Sequence, residues 1–287
     1  MTYAHKITTA LVLLTCLFNY PSGITAQSTT WEGDVSNDWH EAGNWSEARV
    51  PNATDNVLIP ALTPNQPELS SSGTCGSLKL EALTTLLVTA GGTLTVGDQG
   101  ISIDNAGKIT NEGIITVTRT NDDEEAFANR DSLINRGTIN LTRGSVGFLN
   151  EGGSRLFNEV GGVINITDCP RGVELFTAVT NEGTFTVTGG NTGFSARRGF
   201  RNNGPGVIEV DGTTGSGFKA QSNNSFLNFG TIALGVNTAI ADTAMIVNVR
   251  GGSGNYGAGE ITIGSGTEGL VVLRANFENR AALNIDN

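Results

Sequence analysis

One phrase recurs through the second and third parts of the chain: a hydrophobe, an Asn, a nearby Gly, then two apolar residues flanking a single outward residue. Its anchoring asparagines are Asn111, Asn135, Asn158, Asn181, Asn202, Asn228, Asn255 and Asn279, at spacings of 24, 23, 23, 21, 26, 27 and 24 residues. A period in that range with variable insertions belongs to a solenoid. The apolar pairs that follow are Ile115/Val117, Ile139/Leu141, Ile164/Ile166, Phe185/Val187, Ile208/Val210, Ile232/Leu234, Ile261/Ile263 and Leu283/Ile285. Period-2 alternation puts each pair on one face of a strand and the residue between on the other. The Asn279 copy, "ENRAALNID", is the weakest because it lacks the Gly.

The cross-section follows from the region just before. Apolar pairs fall at Leu78/Leu80, Leu86/Val88, Leu94/Val96 and Ile101/Ile103, in steps of 8, 8 and 7 residues. Three faces of about eight residues make one coil of about 24, so residues 71–287 are read as an all-β, right-handed parallel β-helix with three sheets. One coil cannot bury its own apolar faces, and stability must come from stacking. The repeated Asn is expected to form an axial ladder, each amide bonding the one a coil away, about 4.8 Å along the axis. Cys75 and Cys169 lie 94 residues apart, about four coils or roughly 19 Å at one strand spacing per coil. A disulfide spans no more than about 7 Å between Cα atoms, so both thiols are expected to be free wall residues.

Of the 287 residues, 39 are Gly, 17 are basic and 28 are acidic, for a formal charge of -11. That balance argues against nucleic acid and anionic membranes as partners. Residues 1–26 read as a secretory signal peptide: "MTYAHK", an apolar run "ITTALVLLTCLF", and a small-residue site "GITA" before Gln27. A lipoprotein box at "LLTC", ending in Cys16, is the rival reading. The apolar run is shorter than the roughly 20 residues a transmembrane helix needs, and no later segment qualifies. The sequence therefore predicts an exported protein, secreted or at the cell surface.

Residues 27–70 differ in kind and are read as a capping segment. All three tryptophans (Trp31, Trp39, Trp45) sit there with Pro51, Pro60, Pro64 and Pro67. The pattern W-x-G…D-W…N-W…V-P…D-N-V-x-I-P resembles the Trp-rich leader of large secreted bacterial surface proteins with β-helical repeats. The Asn-x-Gly-Thr-Ile repeats are similar to those of autotransporter-type and haemagglutinin-type passengers. The resemblance spans nearly the whole mature chain and implies a β-helix and an adhesin-like role. Many such proteins carry an anchoring domain; none is read in this sequence. Three tryptophans would close the exposed end of a first coil. The competing use is a sugar-stacking platform built from Trp39, His40 and Trp45. The last coil reads as uncapped, which allows self-association through that end.

Chemistry is sparse. The richest carboxylate run is Asp122, Asp123, Glu124 and Glu125, read as a solvated loop with weak calcium-binding capacity. Arg197, Arg198 and Arg201 form the one basic cluster, about three coils away, roughly 14 Å along the axis. Arg119 and Arg143 take equivalent outward positions, with Asp168 next in the stack, where Arg143 and Asp168 could pair. Excluding the signal segment, His40 is the single histidine, leaving no Ser-His-Asp or Cys-His arrangement and no zinc set. The residues between the apolar pairs, Thr116, Asn140, Asn165, Thr186, Glu209, Ala233, Thr262 and Asn284, are not a uniform threonine ladder, which counts against ice binding. A β-helix supports catalysis as readily as binding. The sequence favours a non-enzymatic, adhesin-like protein contacting glycan or matrix. The alternatives are a polysaccharide lyase or glycoside hydrolase with its acids in the 122–125 loop, and a structural spacer of a larger surface protein.

Overall fold

The computed structural model describes residues 27–222, 225–249, 252–264, 268–272 and 277–285. The signal segment lies outside them. Among these residues the chain winds through three parallel sheets of eleven, ten and ten strands, every neighbour in a sheet being one coil away in sequence. In chain order a coil visits the first face (for example Ile103–Asn105), the second (Lys108–Asn111) and the third (Ile114–Thr118). This is the three-sided β-helix of about 24 residues per coil that the phrase requires. The sheets begin within the segment read as a cap, at Ser28–Thr30, Asn56–Ile59 and Glu68–Leu69.

The repeated asparagines form an unbroken axial chain. From Asn111 to Asn279 each side-chain Nδ2 donates to the Oδ1 of the next, at 2.8, 2.9, 2.9, 2.9, 2.9, 2.8 and 3.2 Å. The same amide reaches the carbonyl opening the third-face strand of the next coil, as from Asn158 to Thr184 at 3.2 Å. The seven from Asn111 to Asn255 are buried, so these amides have no water to turn to and must pair. The glycine that follows the Asn in the coils before Asn279 has a steric cause. A Cβ at Gly137 would lie 2.1 Å from the Gly113 carbonyl oxygen. A second, shorter ladder, Asn105–Asn129–Asn150, runs between the first and second faces at 2.8 and 2.7 Å and closes on Thr177 Oγ1 at 2.6 Å.

Seven of the eight apolar pairs on the third face are buried at 0–1 % exposure, Ile115 to Ile263. The eighth is not: Ile285 in the last coil is 45 % exposed. One pairing from the sequence needs correction. Ile103 is in the core, but its inward partner is Asn105, which takes the corner position. Ile101 sits in the preceding loop and packs on a separate apolar cluster outside the first face. Cys75 and Cys169 are free and buried. Burial pushes the Cys75 thiol far up, and burial, then Asp122 and Asp168, push the Cys169 thiol to about 12.

The chain between strands Ser28–Thr30 and Asn56–Ile59 folds over the first coil. Trp31, Trp39 and Trp45 are buried there, with edge-to-face ring contacts at 5.0 Å (31–45) and 4.8 Å (39–45). Indole N–H groups donate from Trp31 to the Asn65 carbonyl and from Trp45 to the Trp39 carbonyl. The buried Asn44 ties the excursion together, its Oδ1 accepting from the Val35 and Ser36 amides and its Nδ2 donating to the Asp38 carbonyl. Asp55 ends it: its carboxylate accepts from Arg49 at 2.5 and 2.9 Å and from the Asn52 amide at 2.8 Å. The Arg49 bond holds the Asp55 carboxyl below the usual carboxylate range.

Two outcomes test this account. Asn181→Ala strands the Asn202 Oδ1 and removes a partner of Asn158, and is expected to cost about 2–4 kcal/mol in urea unfolding at about 1–3 per stranded group. Asn279→Ala, at the exposed end, is expected to cost less than about 0.5 kcal/mol, as a surface change does. For Asp55 the folded pKa is the lowered one, so its contribution is present above the unfolded value of about 3.9 and lost as pH falls through the folded value. Wild type is therefore expected to exceed Asp55→Asn in stability by a constant margin from pH 7 to 5. Below pH 4 the urea midpoints of the two should converge.

Candidate functional site

The outward row of the first face is where the surface departs from a regular solenoid. It runs Asp104, Ala128, Leu149, Glu174, Ser195, Lys219 in register. Outward positions on an open sheet should be wet, yet Ala128, Leu149, Glu174 and Ser195 are 0–8 % exposed. Two local features cause this. The strands Val146–Asn150 and Arg171–Leu175 bulge, with Gly147 and Gly172 pressed inward: a Cβ on either would meet Ile166 Cγ2 or Val187 Cγ1 at 2.5 Å. The bulge turns Val146 and Arg171 outward beside Leu149 and Glu174. Then Ile101, on the loop before its own strand, packs across Ala128, Val146 and Leu149.

The result is a hollow of ≈ 370 Å³ floored by Val146 and Leu149 and walled by Glu125, Glu151, Arg171, Glu174 and Phe176. Glu174, 5 % exposed at its side chain, is clamped by Arg171 Nη1 at 3.0 Å and Arg197 Nη2 at 2.8 Å. Two guanidiniums compensate one carboxylate, which is what permits its burial. Arg197 also lies 5.0 Å above the ring of Phe176, a cation–π contact that leaves that ring 36 % exposed at the rim. Glu151 pairs with Arg130, which reaches Asp104 at 2.5 Å on its other side. The site thus presents fixed donors and acceptors, an apolar floor and one aromatic ring.

The residues singled out from sequence divide. Glu125 lines this hollow, and Arg197 reaches it through Glu174, so the acidic loop and the basic cluster meet at one surface. The separation of three coils is bridged by Arg171 and Glu174, which lie between. Asp122 turns the other way, accepting from the Gly144 amide at 3.2 Å beside Asp168 at the corner between the third and first faces. Asp123 and Glu124 are exposed. Among the described residues no three metal-ligating side chains converge, so the 122–125 run does not gather into a cation cage. Arg198 is exposed, and Arg201 sits on the second face, 4.3 Å over Phe229 and bonded to Asn203 at 2.6 Å.

Trp39 and Trp45 are corrected as a stacking platform: at 0 % and 1 % exposure they offer no ring face, because they pack on each other and on the first coil. His40 is held by the Ser72 carbonyl at 2.9 Å. Arg119 and Arg143 stack as expected, but Arg119 is buried against Gly100 and Ser102. Arg143 donates to the Thr120 carbonyl at 3.3 Å, and no Arg143–Asp168 ion pair forms. Arg171 and Glu174 were missed. Their signal was a charge pair in "RGVEL", where two inward residues, Gly172 and Val173, separate two outward charges.

The comparisons with known proteins bear on this region without assigning it. A domain of unknown function (DUF8693) matches residues 30–147, which contain the tryptophan-bearing excursion and the first coils. No curated protein matches the chain. Among solved structures the chain is similar to a TibC-catalysed hyper-glycosylated TibA fragment, at 15 % identity over 91 % of this chain and 96 % of that one, with a TM-score of 0.28. An overlap that weak carries no inference. No helix among the described residues is long and apolar enough to cross a membrane.

The clamp makes a measurable demand. Arg171→Ala with Arg197→Ala leaves the Glu174 carboxylate enclosed and unpaired. The double variant is expected to lose about 2–3 kcal/mol, below the 3–5 of a fully enclosed pair because both guanidiniums are half in water. Replacing all three residues with Met, Leu and Met is expected to restore most of that stability in the same unfolding assay.

Proposed function

We propose that the protein is a non-catalytic, adhesin-like binding protein of the cell exterior that contacts glycan through the hollow on its first face. The observation that carries this reading is the pre-paired state of the hollow's charges. Glu174 and Glu151 are each committed to arginines, which fixes their free lone pairs and the arginine N–H groups as hydrogen-bonding edges beside the Phe176 ring. A concave, largely apolar site with a few oriented polar groups suits small-ligand or sugar recognition. Glycoside hydrolysis instead needs two carboxylates, one of them protonated, and only Glu125 of the three carries no arginine. The export signal read in residues 1–26 and the acidic surface support an extracellular setting.

The enzymatic reading draws on one feature, the sharing of a single hollow by Glu125, Glu151 and Glu174. Both readings are separated by one experiment on the full chain. The protein is applied to immobilised neutral and acidic polysaccharides, with and without calcium, while new sugar ends are assayed. Retention on one glycan class without turnover is expected, and Phe176→Ala should weaken it at least about tenfold, or 1.4 kcal/mol. Release of sugar ends that Glu125→Gln abolishes would replace binding with catalysis. Retention unaffected by Phe176→Ala would move the binding surface off the first face.

A further inference from the structure

The third face is unlike the other two. From the strand at Ser72–Cys75 to the strand at Thr184–Thr188 its outward side chains carry no charge and no aromatic ring, on a chain with net charge -11. The strands read TLTV, IITVT, TINLT, VINIT and TFTVT, with every second residue in the core. The middle row alone, Thr116, Asn140, Asn165 and Thr186, is irregular. The register shows that the face is three rows wide, and its outer row is unbroken: Thr118, Thr142, Thr167 and Thr188 are partners in successive coils. Charge begins only in the next strand, at Glu209 and Asp211.

Three properties make this face a lattice. Its five-residue strands pair residue for residue with no bulge, in contrast to the first face. Neighbouring strands stand about 4.8 Å apart and outward residues about 6.7 Å apart along each strand, so the four five-residue strands form a flat rectangular net about 14 Å by 13 Å, which two of its rows extend through the strands Thr93–Val96 and Ser72–Cys75. β-branching restricts χ1 at most positions, which limits the directions open to each methyl and hydroxyl. The hydroxyls are also unspent. Among the described residues no threonine hydroxyl of this patch donates to a protein atom, and the one side-chain bond across it joins Asn165 to Asn140 at 2.9 Å.

We infer that this face binds ice. A neutral net of rigid hydroxyls and methyls, repeating on a spacing close to that of oxygen atoms in the principal planes of ice, can hold water in a planar order that joins a crystal. Charged ligands find no counter-charge on it, and sugar rings find no aromatic surface to stack on. This site is independent of the hollow on the first face.

The test is ice-affinity partition of the full chain, with thermal hysteresis measured on the same samples. Wild type is expected to enter slowly grown ice. Thr142→Lys, in the outer row of the net, should reduce the fraction in ice at least about tenfold, as should Thr116→Lys in the middle row. Phe157→Lys, on an exposed position of the second face, should partition as wild type. Circular dichroism and melting of each lysine variant confirm that the fold is kept. Exclusion of the wild-type protein from ice, or partition of a folded Thr142→Lys equal to wild type, overturns the inference. So would a concentration-dependent dimer broken by Thr142→Lys, since a second copy would then cover the face.

Discussion

A buried side-chain amide has few ways to be satisfied, and the architecture rests on the one this chain uses. Each ladder Asn from Asn111 to Asn255 lies where no water reaches, and its nearest partner is the same amide one coil away. That pairing couples successive coils at fixed rise and register, because a one-residue slip would leave an amide without its mate and turn the apolar pairs outward. The close approach at Gly113 and Gly137 belongs to the same constraint: stacked amides bring adjacent backbones too near for a side chain. Hydrophobic burial supplies the driving force, but it does not by itself choose between registers that bury similar surface. The amides do.

This division explains what could be read in advance. Ladder, strand alternation and coil length were legible because each depends on local order with a constant period. The tryptophan excursion was legible as a change in composition, and burial decided between cap and platform. The hollow was not legible. It depends on bulges at Gly147 and Gly172 that invert the alternation for one residue, and on Ile101 crossing to another coil, neither of which has a periodic signature. The short ladder at Asn105, Asn129 and Asn150 passed unseen because it lasts only three coils. The threonine face was hidden for a different reason: its regularity is two-dimensional, and one row of a sheet is a one-dimensional sample.

The three faces divide the surface by chemistry. The first gathers charge into compensated clusters over an apolar floor. The corner after the second carries exposed ion pairs such as Glu112–Arg136–Glu159, which contribute at most about 1 kcal/mol each and are solvated decoration. The third is neutral across six coils. Since the inward residues are similar on all faces, the difference is carried by outward positions that folding leaves largely free.

The corners are unequal in another respect. Connections from the first face to the second, and from the second to the third, take two to four residues among the described strands after Ser77, whereas those from the third to the first take three to eight. The ladders occupy the first two corners and hold them short. Insertions are therefore admitted at one edge, which borders the first face on one side and the outer row of the threonine net on the other. A lineage of such chains could reshape the first and third faces by lengthening loops at their shared edge while inheriting the second face, bounded by a short laddered corner on each side, unchanged, so that the surfaces would evolve at different rates within one scaffold.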